Sequence, residues 1–90
     1  MVTVKSINST TFKVTVVKGT TTTHTVTVSL SYYEKLTNKS VRPKELVKQS
    51  FEFLLKRESN TSILRSFYLP VIGHDFPEYE RTVQDMLKND

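Results

Sequence analysis

Residues 12–30 read FKVTVVKGTTTTHTVTVSL, and this stretch decides the fold of the chain. β-Branched residues dominate it, and apolar and polar side chains alternate, which is the period-two pattern of a strand with one buried face. Its only glycine, Gly19, lies where a chain reversal needs a positive φ. We therefore predict a β-hairpin whose loop lies at residues 18–23.

The two arms of this hairpin carry matching apolar faces. In the second arm, residues 25–30, the side chains expected to face a core are Val26, Val28 and Leu30. The side chains expected to face outward are Thr25, Thr27 and Ser29. The first arm has a similar inward set, which is Phe12, Val14 and Val16. A third strand is predicted at residues 2–7, joined through a turn near Asn8 and Ser9, so the sheet is a hairpin or a three-strand meander.

A sheet of two or three strands with one apolar face is marginal in water, so later residues must cover it. Residues 42–57 predict the main helix, because Pro43 suits the first helical position and no later glycine or proline interrupts them. A wide apolar arc indicates that this helix is mostly buried. The arc consists of Leu46, Val47, Phe51, Phe53, Leu54 and Leu55.

Shorter elements are predicted after the main helix. Capping residues at 59–62 precede Ile63, Leu64 and Phe67, which predicts a short second helix. Residues 69–73 are apolar but contain proline and glycine, which indicates a turn or one short helical piece. A last helix is predicted from Pro77, and its apolar face consists of Tyr79, Val83, Met86 and Leu87.

These elements indicate one α+β domain over residues 1–90. The N-terminal antiparallel hairpin or three-strand meander is expected to pack against three to four C-terminal helices. A chain of 90 residues is too short for a second independent core.

The formal charge of +4 is unevenly distributed along the chain. Residues 1–72 hold eleven Lys or Arg and four Glu, a net of +7, whereas residues 73–90 hold two basic and five acidic groups, a net of −3. The basic body could attract phosphate, or the acidic tail could fold back on it. No stretch has the length of a membrane span and the N-terminus lacks the apolar run of a signal peptide, so we expect a cytoplasmic protein.

The side chains from which most active sites are built are scarce in this sequence. Without cysteine there is no disulfide, thiolate metal site or cysteine nucleophile. His24 is expected to end the hairpin loop, and His74 has no ligand or catalytic partner at a suitable spacing. With only Gly19 and Gly73, a glycine-rich phosphate loop is excluded. We predict a non-enzymatic protein with no catalytic residue, metal, cofactor or identified small-molecule substrate.

Residues 25–31 (TVTVSLS), 32–36 (YYEKL) and 42–47 (RPKELV) together resemble a ribbon-helix-helix DNA-binding protein. In that family two chains pair one strand each, and the outward side chains of this ribbon read bases in the major groove. The resemblance implies a dimer in which a helix start near Lys44 meets phosphate. The side chains that it implies would face DNA are Thr25, Thr27 and Ser29.

Residues 43–80 in the helical half are similar to a group of small bacterial proteins of unknown function. The segments that carry this resemblance are PKELV at 43–47, SFEFLL at 50–55, SILR at 62–65 and FPEYE at 76–80. It implies a bacterial cytosolic protein and brings no activity, cofactor or site residue with it.

Two functions remain open from the sequence. The first is a protein-interaction or assembly module, because a short sheet leaves unpaired backbone groups at its edges, and a second copy or a partner's extended segment could pair there. The second is the dimeric DNA-binding regulator. A steep fall of DNA affinity with salt concentration would distinguish the regulator from the module.

Overall fold

The structure is a computed structural model that describes residues 1–88. Three antiparallel strands come first, β1 (Val2–Ser6), β2 (Thr11–Lys18) and β3 (Thr20–Thr27). A fourth strand, β4 (Ser66–Tyr68), pairs parallel with β3, and the sheet order is β1-β2-β3-β4. Of the two predicted arrangements, a hairpin or a three-strand meander, the structure has the meander, and β1 and β4 form the two edges of the sheet.

Four helices follow the meander, α1 (Leu30–Thr37), α2 (Pro43–Leu55), α3 (Val71–Asp75) and α4 (Tyr79–Lys88). A single 3-10 turn, Asn60–Ser62, precedes β4. The α2 helix packs against β1, β2 and α4, which confirms the α+β class and the central position predicted for α2. No helix among residues 1–88 is both long enough and apolar enough to cross a membrane.

The core lies between the sheet and the helices. On β2 and β3 the buried side chains alternate with outward ones at Phe12, Val14, Val16, His24 and Val26, and the register pairs Phe12 with Val26 and Val14 with His24. The opposite face of the sheet is rich in threonine, with Thr3, Thr15 and Thr23 in one cross-strand row. From α2, the fully buried apolar side chains are Leu46, Val47, Phe51 and Phe53. Each apolar side chain buried in this way stabilises the fold by about 1.5–3 kcal/mol.

The strand predicted to continue through Leu30 ends at Thr27. Ser29 is the N-cap of α1, where its side-chain oxygen accepts a hydrogen bond from the Tyr32 backbone N–H at 3.2 Å. An N-cap hydroxyl satisfies a helix donor that has no partner within the helix, so the helix begins directly after it. The inward position predicted for Leu30 is wrong, because its side chain is 62% exposed, whereas Val26 and Val28 do face the core.

The hairpin loop is also shorter than predicted. The ladder between β2 and β3 extends to the pair Lys18 and Thr20, so the reversal is centred on Gly19, whose φ is +78°. The threonines after it pair with β2 instead of forming a loop. The position predicted for His24 at the end of a loop is therefore wrong, because His24 lies within β3.

The short second helix predicted after residues 59–62 does not form. Those residues make the single 3-10 turn, and residues 66–68 join the sheet as β4. The β4 segment gains backbone partners on β3, since Thr25 N–H donates to the Arg65 carbonyl at 2.7 Å and Leu69 N–H donates to the Thr27 carbonyl at 3.0 Å. The short helical piece predicted at residues 69–73 is present as α3, and α4 buries three of its four predicted face residues, Tyr79, Val83 and Leu87.

Candidate functional site

The β1 edge leaves backbone hydrogen-bonding groups open. Met1 and Val17 exchange two backbone hydrogen bonds, of 2.8 and 2.9 Å. Hydrogen-bonded and non-hydrogen-bonded pairs alternate along an antiparallel ladder, so the N–H and C=O groups of Val2, Val4 and Ser6 point away from β2. No backbone hydrogen bond occupies these groups among residues 1–88. The open edge therefore offers three donors and three acceptors in a row.

A cleft of about 590 Å³ lies beside this open edge, between β1 and the first turns of α2. Its floor is apolar and half-buried, formed by Val2, Val4 and Val41. Three cations surround this floor, and they are Arg42, Lys44 and Lys48. We call the open strand and these six side chains together the β1-edge cleft.

The three cations of the β1-edge cleft have no anionic partner within residues 1–88. Glu45 also lines the cleft, but its Oε2 lies 3.5 Å from the Gln49 side-chain nitrogen and in no ion pair. Lys44 and Lys48 are four residues apart on α2, and like charges at this spacing destabilise a helix by about 0.2–0.5 kcal/mol. An anionic group bound in the cleft would offset that repulsion.

The four residues implied by the ribbon-helix-helix resemblance lie in different surroundings. Thr25 and Thr27 lie on the outward face of β3, which is hydrogen-bonded to β2 on one side and to β4 on the other. Ser29 caps α1, and Lys44 belongs to the β1-edge cleft. The structure therefore does not bring Lys44 next to the threonines, and over Thr25–Thr27 β3 has no free edge for a strand from a second chain.

His24 is the buried polar residue whose surroundings the sequence did not predict. Its Nδ1 lies 2.7 Å from the Leu64 carbonyl oxygen, and its Nε2 lies 2.9 Å from the Thr22 hydroxyl. Because a carbonyl only accepts, Nδ1 carries a proton, and in the neutral ring Nε2 accepts from Thr22. Nearby, the Asn60 amide donates to the Thr20 carbonyl at 2.6 Å. These bonds fasten β3 to the segment before β4, so His24 has a structural role.

The alternation of inward and outward side chains along β3 contains a signal that His24 faces the core. This residue lies two positions before Val26 and four before Val28, in phase with the inward side chains. The run of four threonines before His24 resembles a loop and hides this alternation, although Thr20–Thr23 belong to β3.

The acidic tail is partly docked on the body. Glu80 accepts a hydrogen bond from the Tyr32 hydroxyl at 2.8 Å and lies 3.5 Å from the Lys35 ammonium. Burial, together with this hydrogen bond to Glu80, raises the pKa of Tyr32 well above its usual range. A backbone hydrogen bond and the Arg57 guanidinium, 3.3 Å away, lower the pKa of Glu78. Both glutamates thus have partners on the body and do not form an open anionic site.

No group of three or more histidines or carboxylates suited to holding a metal ion occurs in the part of the chain that the structure describes. Comparison of the chain with protein-family models, with curated proteins and with solved structures found no match. The two resemblances in the sequence therefore rest on their quoted residues alone, and the β1-edge cleft is the strongest candidate site on geometric grounds.

Proposed function

We propose that this protein is an interaction module whose β1 edge takes up an extended, acidic segment of a partner protein as a fifth strand. The observation that carries the proposal is the open backbone of Val2, Val4 and Ser6 beside three cations that have no ion-pair partner within residues 1–88. In recognition by strand addition, main-chain hydrogen bonds supply affinity and the side-chain surroundings supply selectivity.

The geometry of β1 defines the segment that would fit. A strand paired with Val2–Ser6 needs about five residues, or roughly 17 Å of extended chain. Its side chains alternate between the two faces of the sheet. One set would meet the valine floor and the cations of the cleft, and the other would meet Thr3 and Lys5 on the outward face. Acidic residues fit both faces, and β-branched apolar residues fit the floor.

A second copy of the chain is a poorer occupant of this edge. Antiparallel pairing of two β1 strands would bring the cations of both copies, Arg42, Lys44 and Lys48, to one junction. Like charges placed opposite each other across an interface oppose association. We therefore assign the edge to an acidic partner and treat self-association as an outcome of the test.

The charge requirement is tested with a blocked peptide of alternating glutamate and valine, and with the same peptide carrying glutamine in place of glutamate. We expect calorimetry to show binding of the glutamate peptide that weakens with salt, and little binding of the glutamine peptide. The variant Arg42→Gln/Lys44→Gln/Lys48→Gln should lose this binding. The matched variant Lys56→Gln/Arg65→Gln/Arg81→Gln, which removes the same charge elsewhere, should retain it.

The backbone requirement is tested by proline at Val4. Val4→Pro removes an N–H that points to the open edge and makes no bond to β2, so the fold should persist while peptide binding is lost. Val4→Thr retains the N–H and should bind the peptide. Equal affinity of both variants would exclude strand addition, and a dimer of the unmodified chain in light scattering would favour self-association.

The DNA-binding alternative remains a prediction from the ribbon-helix-helix resemblance. Binding of duplex DNA that falls steeply with salt and is lost on Thr25→Ala/Thr27→Ala would replace the module proposal. A bacterial source, a cytoplasmic location and the lack of catalytic activity are likewise predictions from the sequence.

A further inference from the structure

A second cleft lies at the opposite edge of the sheet, beside β4. It has a volume of about 180 Å³ between the end of α2, the segment before β4, and α3. Its wall is apolar, formed mainly by Leu54, Ile63, Phe67 and Ile72. Two apolar side chains at its mouth, Leu64 and Val71, are 56% and 36% exposed. We call this the β4-side cleft.

Two carboxylates line the β4-side cleft, and neither has a lysine or arginine partner in the part of the chain that the structure describes. Glu58 takes part in no ion pair within residues 1–88, and the only such contact of Asp75 is with His74 Nδ1 at 3.7 Å. Arg57 is already engaged, because it bonds to Glu78 and lies over the Phe53 ring, 3.6 Å from its centroid. Burial and the nearby charge of Asp75 raise the pKa of Glu58, as expected for an acid without a cation.

We propose that the β4-side cleft receives the side chain of an arginine or lysine from a partner protein. The aliphatic stem would lie against the apolar wall, and the charged head would pair with Glu58 and Asp75. Arginine suits the site better than lysine, because its planar guanidinium can contact two carboxylates at once.

The size of the β4-side cleft supports a side chain as occupant. Its 180 Å³ corresponds to the volume of about six water molecules. Pockets for drug-sized ligands are larger, at about 300–1,000 Å³. The proposal is independent of the β1-edge cleft, because the two sites use opposite edges of the sheet and opposite charges.

The test uses the unmodified chain and two blocked peptides of alanine and leucine that differ at one position, arginine in one and its neutral isostere citrulline in the other. Amide shifts in a nuclear magnetic resonance titration should move for Ile63, Leu64 and Ile72 with the arginine peptide, with a dissociation constant in the millimolar range. The citrulline peptide should bind about three- to five-fold more weakly, because it lacks the charge.

A matched pair of variants tests the two carboxylates. Glu58→Gln/Asp75→Asn should bind the arginine peptide no better than the citrulline peptide. Glu34→Gln/Asp85→Asn, which removes the same charge elsewhere, should bind it like the unmodified chain. Equal affinity for the two peptides, shifts outside the β4-side cleft or no shifts at all would overturn the proposal. Butylguanidinium binding as tightly as the arginine peptide would assign the cleft to a small cation instead of a protein partner. The peptide comparison stands even if a variant fails to fold.

Discussion

The two edges of the sheet come from different parts of the chain. β1 is five residues long, antiparallel, and joined to β2 by a short turn in the first eighteen residues. β4 is three residues long, parallel, and pairs with β3 about forty residues earlier in the chain. A short turn is enough to position β1, whereas β4 also depends on the contacts of His24 and Asn60.

The same two edges differ in charge. The β1-edge cleft carries three cations, and the β4-side cleft carries two carboxylates next to exposed apolar side chains. A sheet with open edges normally risks unspecific pairing, and charges at the edges limit it. The two proposed sites therefore differ in the charge that they would bind, and the following predictions test how far the edges differ.

The largest effect is expected at His24, which secures the β4 edge. His24→Ala removes the hydrogen bonds to the Leu64 carbonyl and the Thr22 hydroxyl and leaves a cavity against Phe51. We expect a loss of about 2–4 kcal/mol in the free energy of unfolding, measured by urea denaturation. Thr23→Ala, on the exposed face of the same strand, should cost less than about 0.5 kcal/mol. Similar losses for both variants would contradict the anchoring role.

The second-largest effect is a difference in stability between proline variants at Lys5 and Val4, whose N–H groups point to opposite sides of β1. Lys5→Pro removes an N–H that the ladder pairs with Lys13, whereas Val4→Pro removes one that points to the open edge. We expect Lys5→Pro to lower the free energy of unfolding by about 1–2 kcal/mol more than Val4→Pro does. Thermal unfolding followed by circular dichroism measures this difference. The reverse order would show that the Lys5 N–H points to the open edge and that the Val4 N–H bonds to β2.

A smaller effect is expected at Glu58, where a substitution should raise the free energy of unfolding instead of lowering it. Its raised pKa means that the folded state binds a proton more tightly than the unfolded state, so ionised Glu58 destabilises the fold above both pKa values. Glu58→Gln should therefore raise the stability at neutral pH by about 0.5 kcal/mol. This gain should disappear as the pH falls below the pKa of Glu58 in the folded state and then below its pKa in the unfolded state. Melting temperatures of both proteins across that range test the sign, and a gain that persists in acid would refute it.

The smallest effect is expected at Lys48 on the β1 side. Lys48→Gln removes one of the three cations of the β1-edge cleft and should weaken the binding of the glutamate peptide. It removes both the repulsion with Lys44 and the attraction to Glu45 and Glu52 at helical spacing, so the stability should change by less than about 0.5 kcal/mol. Calorimetry with the peptide measures the first effect, and thermal unfolding measures the second. Lys56→Gln, outside the cleft, should leave peptide affinity unchanged.

Much of the fold could be predicted because its signals are local. Alternation of apolar and polar side chains predicted the strands of the meander. Pro43 predicted the start of α2 to within one residue. The apolar spacing of Tyr79, Val83 and Leu87 predicted α4. Residues 66–68 had no such signal, because three residues show no periodicity. Their strand conformation depends on hydrogen bonds to β3.

The sequence predicted the kind of candidate site but neither its location nor its side chains. An open strand edge was expected from the small number of strands, but nothing local indicated that β1 would provide it. The cations of the β1-edge cleft lie on α2 and at its N-cap, about forty residues from β1, and only packing of that helix against β1 makes them neighbours. Similarly, Glu58 and Asp75 are seventeen positions apart in the chain and line one cleft through the fold.

By itself, the sequence determined the α+β class, the hairpin of β2 and β3, and the two longest helices, α2 and α4, because period and capping act between residues a few positions apart. It left open whether residues 2–7 add a third strand. The tertiary structure alone decided that His24 is buried and that β4 forms an edge. These features depend on contacts between distant residues. Where such contacts provide hydrogen-bond partners for backbone and buried polar groups, they outweigh the local conformational preference of the chain.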